Sequence, residues 1–400
     1  FRINVSTTFI TDANIPHNAL PGLELRVTDT SSVATGDTAI VESFERGGEE
    51  PAVGDLYYTT YIYTKQDFTT SFFTKISAVE SSYGPVSTDS PLSLASYLCI
   101  LNGAILIGAK QVQKATGETK ASLVSYRDAI DELEGVLPGQ AVPDIITPLR
   151  GDSTDLYTYL KNSDVKMSGI RYRSERTSII GLSAGSNPEA VKALARTLGH
   201  TRMRVVYPDV ATITLTDAVG TSKESLVDGP MMAAGLIGSI TSPNVDVATP
   251  WTGRNLVGFT QLGRNLDAVE QNQVATAGVT VLEGRYPFLR VRHGLTTDMT
   301  NILTKTPTII PIADEVQRQS RNTLEAFIGI KFLSGILGQV EGRLAMMLKG
   351  MVKNQIITAY TGVKASVAVD DPTVGEVEAY YSPVFPLLYL ILTFHLRSSL

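Results

Sequence analysis

The sequence predicts a multidomain fold that mixes α/β and α+β layers, and three observations predict it. The first 85 residues alternate β-branched and aromatic side chains between Gly, Pro and Asp clusters. From 86 to 295 helical and strand periods take turns, which argues for layers with some parallel pairing. From 296 to 400 two helical patterns precede short strands. The expected domains follow these breaks: a β-rich N-terminal domain (1–85), a central α/β domain (86–295) and a C-terminal helix-plus-small-sheet domain (296–400). At ~100–200 residues per domain, a 400-residue chain holds two or three cores.

In the first region 23–27, 38–43, 56–63 and 72–79 read as strands. Residues 1–10 (FRINVSTTFI) also alternate and are a candidate extended arm. Tyr57, Tyr58, Tyr61 and Tyr63 lack interleaved Lys or Arg, so they read as cross-strand packing rather than a base-stacking platform. In the second region helices are expected at 92–101, 120–135, 154–175 and 187–198, with strands at 104–112, 144–148, 177–182, 203–206 and 211–215. After Asp228 comes a small-residue helix whose Met231, Met232, Ala233, Ala234, Leu236 and Ile237 form an apolar surface. Gly235 and Gly238 there let another backbone come close. Strands at 279–282 and 288–291 bracket a turn at 283–287.

The third region begins with two helices across 313–360. The first carries Val316, Leu324, Phe327, Ile328 and Phe332 at helical spacing, and a break at Gly335 and Gly338 follows. The second carries Leu344, Met347, Leu348, Met351, Val352 and Ile356. Strands are expected at 363–369 and 377–381, then a closing strand at 387–396. Leu388, Leu390, Leu392, Phe394 and Leu396 lie on one face of that strand; Leu387, Tyr389, Ile391, Thr393, His395 and Arg397 lie on the other. A strand this apolar is either a core strand or one donated to a neighbour's sheet, because exposed it is an aggregation hazard.

Composition narrows the function classes. The net charge of −6 with no basic block argues against nucleic-acid binding, which needs clustered Lys and Arg. Cys99 is the only cysteine, so no intrachain disulfide and no thiolate metal site is expected; among apolar neighbours it reads as core. His17, His200, His293 and His395 have no paired spacing, and neither a Walker A nor a G-x-G-x-x-G motif occurs. No metal and no cofactor is expected. The longest apolar run, 384–392, contains Pro386 and is too short to cross ~30 Å of hydrocarbon as a helix, so no membrane insertion is expected. The chain starts at Phe1 without a signal pattern, and the expectation is a cytosolically made protein whose N-terminus lies outside this stretch.

One motif competes for an enzymatic reading. Gly181-Leu182-Ser183-Ala184-Gly185 is a G-x-S-x-G between a strand and a helix, the context of a nucleophile elbow. A serine hydrolase would use Ser183 as nucleophile and His293 as base, with Asp209 or Asp217 between them. The alternative is a strand-to-helix loop in which Ser186 or Asn187 caps the helix ahead of Pro188 and Glu189. His293 sits within an alternating strand, and no glycine-rich second oxyanion contributor precedes the motif, so the loop reading is preferred.

The order of several further segments is characteristic: Ala234-Gly235-Leu236-Ile237, then Pro250 to Leu262 (PWTGRNLVGFTQL), then Ala277-Gly278-Val279-Thr280-Val281-Leu282. Arg290-Val291-Arg292-His293-Gly294-Leu295-Thr296-Thr297 follows. Pro91-Leu92 with Asn102-Gly103-Ala104, and Arg204-Val205-Val206-Tyr207-Pro208-Asp209, extend the pattern. Over 90–400 this resembles the tail sheath proteins of contractile bacteriophages.

The resemblance implies a subtilisin-like central domain without a triad, and an inner domain whose small sheet is completed by arms of neighbouring subunits. It implies a non-enzymatic homo-oligomer of stacked six-fold rings around a tail tube, meeting baseplate and tail terminator proteins. Such a protein assembles in the host cytoplasm and ends in the virion. The sleeve contracts while each subunit moves largely as a rigid body. A helix at 313–334 or 339–360 is expected to face the tube, with Lys331, Arg343, Lys349 and Lys353 as candidate contacts. Alternatives are the sheath of a tailocin or related injection device, a tube or baseplate protein, and the serine hydrolase above.

Overall fold

The computed structural model describes residues 70–112, 121–134, 143–216, 222–331, 335–371 and 373–387, together with four earlier strands. The chain divides into two units, Phe1–Gln66 with Ser81–Pro85, and Asp67–Glu80 with Val86–Leu400. The first unit contains β1 (Arg2–Asn4), β2 (Leu25–Val27), β3 (Val41–Phe44) and β4 (Leu56–Tyr58). Antiparallel ladders join β1 to β4 and β2 to β3. Part of the candidate arm is therefore a sheet partner: Arg2 lies opposite Tyr58.

Along the rest of the chain come β5 (Ser71–Phe73), α1 (Ile76–Tyr83), α2 (Pro91–Leu101), β6 (Ile107–Ala109), α3 (Leu123–Glu134) and β7 (Ile145–Ile146). Next are α4 (Thr154–Met167), β8 (Thr177–Gly181), α5 (Pro188–Leu198), β9 (Met203–Tyr207), β10 (Val210–Thr216) and β11 (Ser222–Asp228). Then follow α6 (Gly229–Ile240), β12 (Asn255–Leu256), β13 (Phe259–Leu262), α7 (Ala268–Ala275), β14 (Val279–Arg285) and β15 (Phe288–His293). Last come α8 (Ile302–Lys305), α9 (Ile309–Leu324), α10 (Ile336–Lys353), β16 (Ile357–Val367) and β17 (Gly375–Pro383). The strand expected at 72–79 is corrected: only Ser71–Phe73 is extended, and Ile76, Val79 and Tyr83 recur at helical spacing in α1.

A six-stranded sheet, ordered β12-β15-β14-β9-β8-β7, is the centre of the second unit. β7, β8, β9 and β14 run parallel, and β15 returns antiparallel as a hairpin. Every residue of β8 and β9 is buried, as parallel strands covered on both faces require. Alternate side chains feed two separate cores. Ile179 and Val206 join α2 and α6 with Leu94, Leu98, Met232 and Leu236. Ile180, Val205 and Tyr207 join α4, α5 and α7 with Tyr157, Val191, Leu198 and Val274.

α5 illustrates how local sequence sets an element. Asn187 accepts from the Ala190 amide as N-cap, Pro188 opens the first turn, and Gly199 closes the helix at φ 42. Val191, Leu194, Ala195 and Leu198 then fall on one buried stripe.

α6 comes to backbone contact with α2 and with the end of β8, as its small residues anticipate. A Cβ on Gly238 would stand 2.1 Å from the Cys99 carbonyl oxygen of α2. At the other end Gly181 and Gly229 touch: a Cβ on Gly181 would meet the Gly229 carbonyl carbon at 1.9 Å, and the Gly229 amide donates to the Leu182 carbonyl at 2.9 Å.

The N-terminal ends of the parallel strands carry charge. Arg176 is fully buried, with its Nε 3.3 Å from Asp164, whose other oxygen accepts from Ser178 at 2.6 Å. Arg204 is also fully buried; its guanidinium donates to the Pro307 carbonyl at 3.0 Å and stacks 5.2 Å from the Trp251 ring. Burial holds the Arg204 pKa down at about 10. Glu175, just ahead of β8, binds Arg321 of α9 through two contacts of 2.6 and 2.7 Å. Burial pulls the Glu175 carboxyl upward, but the Arg321 bonds outweigh it and hold it below the ordinary carboxylate value.

Two predictions follow from this packing. Gly181→Ala forces two backbones apart and is expected to cost ~3 kcal/mol, the upper end of overpacking, or to abolish folding, measured by urea unfolding. Glu175 has a folded pKa below its unfolded value of ~4.3, so its contribution is present at neutral pH and lost as pH falls below about 4. Glu175→Gln is therefore expected to flatten the fall of Tm between pH 5 and 3 relative to the unmodified chain.

Candidate assembly site

The C-terminal stretch folds as a helix pair carrying a two-stranded sheet. α9 and α10 enclose Ile312, Val316, Leu344, Leu348, Met351 and Ile357, and the sheet face bearing Tyr360, Val363, Ala379 and Tyr381 closes this core. The boundaries correct the expectation. α9 ends at Leu324 in a 3-10 turn, Glu325–Phe327, and Gly329 at φ 81 cannot continue a helix, so Lys331 lies in the connection rather than on a helix. α10 ends at Lys353, and Ile357 to Tyr360 are strand, not helix.

The two edges of the β16–β17 sheet differ. From Ile357 to Ala359 β16 takes two steps while β17 takes one, and from Thr361 to Lys364 it takes three against two. Both extra residues, hence both bulges, lie on β16; β17 is regular. The Ala368 amide donates to the Val374 carbonyl at 2.9 Å, which sets the alternation. On that phase Glu376 and Glu378 turn their backbone groups toward β16, whereas Gly375, Val377, Ala379 and Tyr381 turn theirs to the outer edge. Ala365 points outward from β16, and the carboxylate of Glu341 on α10 accepts its amide at 2.8 Å. Bulges and a charged plug are devices that keep a sheet edge from pairing. Among the described residues no strand pairs with the outer edge of β17.

Arg343, Lys349 and Lys353 are all exposed on α10. At ~100° per residue they share an arc of about 120° centred on Met346, which is 67% exposed. Lys331 is exposed as well, beside Ile328 and Ile330. The expected closing strand, with Leu388, Leu390, Leu392, Phe394 and Leu396, lies outside the described residues. Sequence reasoning missed Glu341; its only signal is an acidic residue two before Arg343, on a helix whose other charges are basic.

The hydrolase constellation is not assembled. The Ser183 amide donates to the Gly151 carbonyl at 2.9 Å, and the Ser186 hydroxyl donates to the Ser183 carbonyl at 2.7 Å. Asp209 accepts from the Ser186 amide at 2.8 Å, which makes it a staple of this loop. His293 is on β15, three strands from β8, a separation of about 14 Å at ~4.8 Å per strand. Burial, then the Arg292 charge, push its pKa down. Asp217 lies outside the described residues. No group of three or more His, Cys, Asp or Glu among the described residues could hold a metal, and no described helix is long and apolar enough to cross a membrane.

The fold as a whole is similar to those of solved contractile sheaths. The sequence is similar to the tail sheath protein of Mycobacterium phage Bxz1, 26% identical over 359 residues, and the alignment covers 85% of this chain. The chain spans 58% of the length of that relative. Its fold is similar to the PVC sheath complex of an extracellular contractile injection system in the contracted state, with TM-score 0.62 and 11% identity over 84% of this chain and 88% of that one. It is likewise similar to the helical sheath of the anti-feeding prophage in the contracted state, with TM-score 0.60 and 13% identity over 82% of this chain and 87% of that one. No family model matches. The resemblance to contractile tail sheath proteins read from the motifs is borne out, in sequence by the first and in fold by the other two.

Ser183 is a loop residue in this geometry. The chain is expected to hydrolyse p-nitrophenyl acetate no faster than its Ser183→Ala variant, and that variant is expected to unfold within about 0.5 kcal/mol of the unmodified chain.

Proposed function

We propose that this chain is the subunit of a contractile tail sheath, a structural protein that polymerises with itself around a tail tube and shortens to drive the tube through a host envelope. Similarity to a phage tail sheath protein and to two contracted sheaths supports the class. The observation that carries the assembly role is the regular, helix-backed outer edge of β17. A strand from a neighbouring copy adds there through the outward amides and carbonyls of Gly375, Val377, Ala379 and Tyr381. The donor is the alternating segment holding Leu388, Leu390, Leu392, Phe394 and Leu396. Residues 296–400 then form the inner assembly domain, linked copies stack as six-fold rings, and the contact is heterologous and does not close on itself.

The basic arc of Arg343, Lys349 and Lys353, with Lys331 nearby, meets the tube through exposed charges that hold and then release. Baseplate and terminator proteins bound the two ends, and the particle is a phage tail or a tailocin-like injection device.

Negative-stain electron microscopy of the full-length protein tests this. Hollow ribbed tubes are expected, and they are expected to vanish on truncation before Leu387 and in Val377→Pro. That substitution removes one outward amide and leaves the ladder to β16 intact, so the soluble chain keeps its circular dichroism and Tm. Tubes that persist in both variants would sink the β17 edge, and discrete particles under all conditions would sink the sheath.

A further inference from the structure

Charged contacts join the six-stranded sheet to the C-terminal module. α9 lies across the N-terminal ends of three parallel strands and makes one arginine–carboxylate pair with the start of each. Asp314 takes both Nη atoms of Arg202, immediately ahead of β9, at 2.7 and 2.8 Å. Arg321 takes Glu175, two residues ahead of β8, at 2.6 Å. Arg318 takes Asp144, immediately ahead of β7, at 3.1 Å, and also its own Glu315 at 3.0 Å. The spacing 314, 318, 321 is one helix face. Exposure falls from the third pair to the first: the Asp144 side chain is 69% exposed, whereas Arg202 and Asp314 are 13% and 7%.

Among the described residues the apolar cores stay separate at this junction. Ile312, Val316, Leu344, Leu348, Met351 and Ile357 form a cluster apart from the two that flank the sheet, and Ala248 and Val247 join it from the sheet's side. The chain between them is strapped by polar bonds: Thr297 donates its amide to the Met203 carbonyl and its hydroxyl to the His200 carbonyl, both at 3.0 Å. Ion pairs contribute little net stability once desolvation is counted, yet they tolerate only one geometry. A junction built from them fixes orientation more than it adds stability.

We propose that the three α9 pairs are a latch: they set the attitude of the α9–α10–β16–β17 module on the sheet, and when their charges are reversed the module swings away as a folded unit. Each side keeps its own core, so release exposes little apolar surface. The rigid-body movement that the sheath resemblance implies then holds only while the latch is closed. The latch itself does not depend on the sheath reading, since it concerns the single chain.

Spin labels at Arg196→Cys on α5 and Lys349→Cys on α10 report the attitude in the full-length chain by pulsed electron paramagnetic resonance. Cys99 is buried, with its thiol pKa pushed up to about 12, and does not compete for label. The R318E/R321E variant leaves like charges facing at β7 and β8. It is expected to broaden the distance distribution about twofold while circular dichroism and cooperative melting persist. Adding D144K/E175K is expected to restore the narrow distribution. The proposal is overturned if R318E/R321E keeps the original distribution, if the complementary charges fail to restore it, or if R318E/R321E loses its circular dichroism and cooperative transition altogether. Loss of the whole fold would mean that the sheet cannot stand without the module in place.

Discussion

Burial of β8 and β9 on both faces is the constraint on which the rest of this fold depends. Five consecutive residues in each strand have no access to water, so helices must cover both sides of the sheet, and two distinct cores result. The same burial dictates the close approach of Gly181 and Gly229, where the end of β8 meets the start of α6 without room for a side chain. It also makes polar side chains at the strand ends demanding. Arg176 and Arg204 cannot reach solvent, and Asp164 and Ser163 answer the first, the Pro307 carbonyl and the Trp251 ring the second. The charges that receive α9 belong to this same rim, so the position of the C-terminal module is a consequence of how the central sheet is closed.

Much of the central architecture was legible in the sequence because its signals are local. The capped, Pro-led helix at 188–198, the apolar runs of β8 and β9, and the paired glycines of α6 each announce their element. The C-terminal boundaries were harder for a physical reason. In β16 the inward residues Ile357, Tyr360 and Val363 are three apart because each bulge inserts a residue, and a spacing of three reads as helix. The sequence therefore suggested a helix as far as Tyr360 where a strand begins at Ile357. The first helix was expected to run to Ser334 since apolar residues continue past Leu324, while Gly329 turns the backbone away and α9 ends at Leu324.

The candidate site was legible in part. Arg343, Lys349 and Lys353 were picked from their place in the sequence and do share one exposed arc. Lys331 belongs to the connection instead. Glu341 carried no signal of its role, because its partner is a backbone amide 24 residues away, and sequence periodicity is silent about which backbone groups a fold leaves outward. The G-x-S-x-G motif shows the converse. Its local pattern is complete, yet catalysis is a matter of three-dimensional neighbours, and sheet order sets His293 three strands from it.

The asymmetry of the small sheet has a consequence for any polymer made through it. β16 is bulged and plugged, while β17 is regular, so among the described residues this sheet presents one open edge and not two. Links made by inserting a strand into a single socket all point the same way along the assembly. Such an assembly has a head and a tail, with an empty socket at one end and an unused strand at the other. Growth and capping at those ends are then chemically different tasks, and a protein that stops one cannot stop the other.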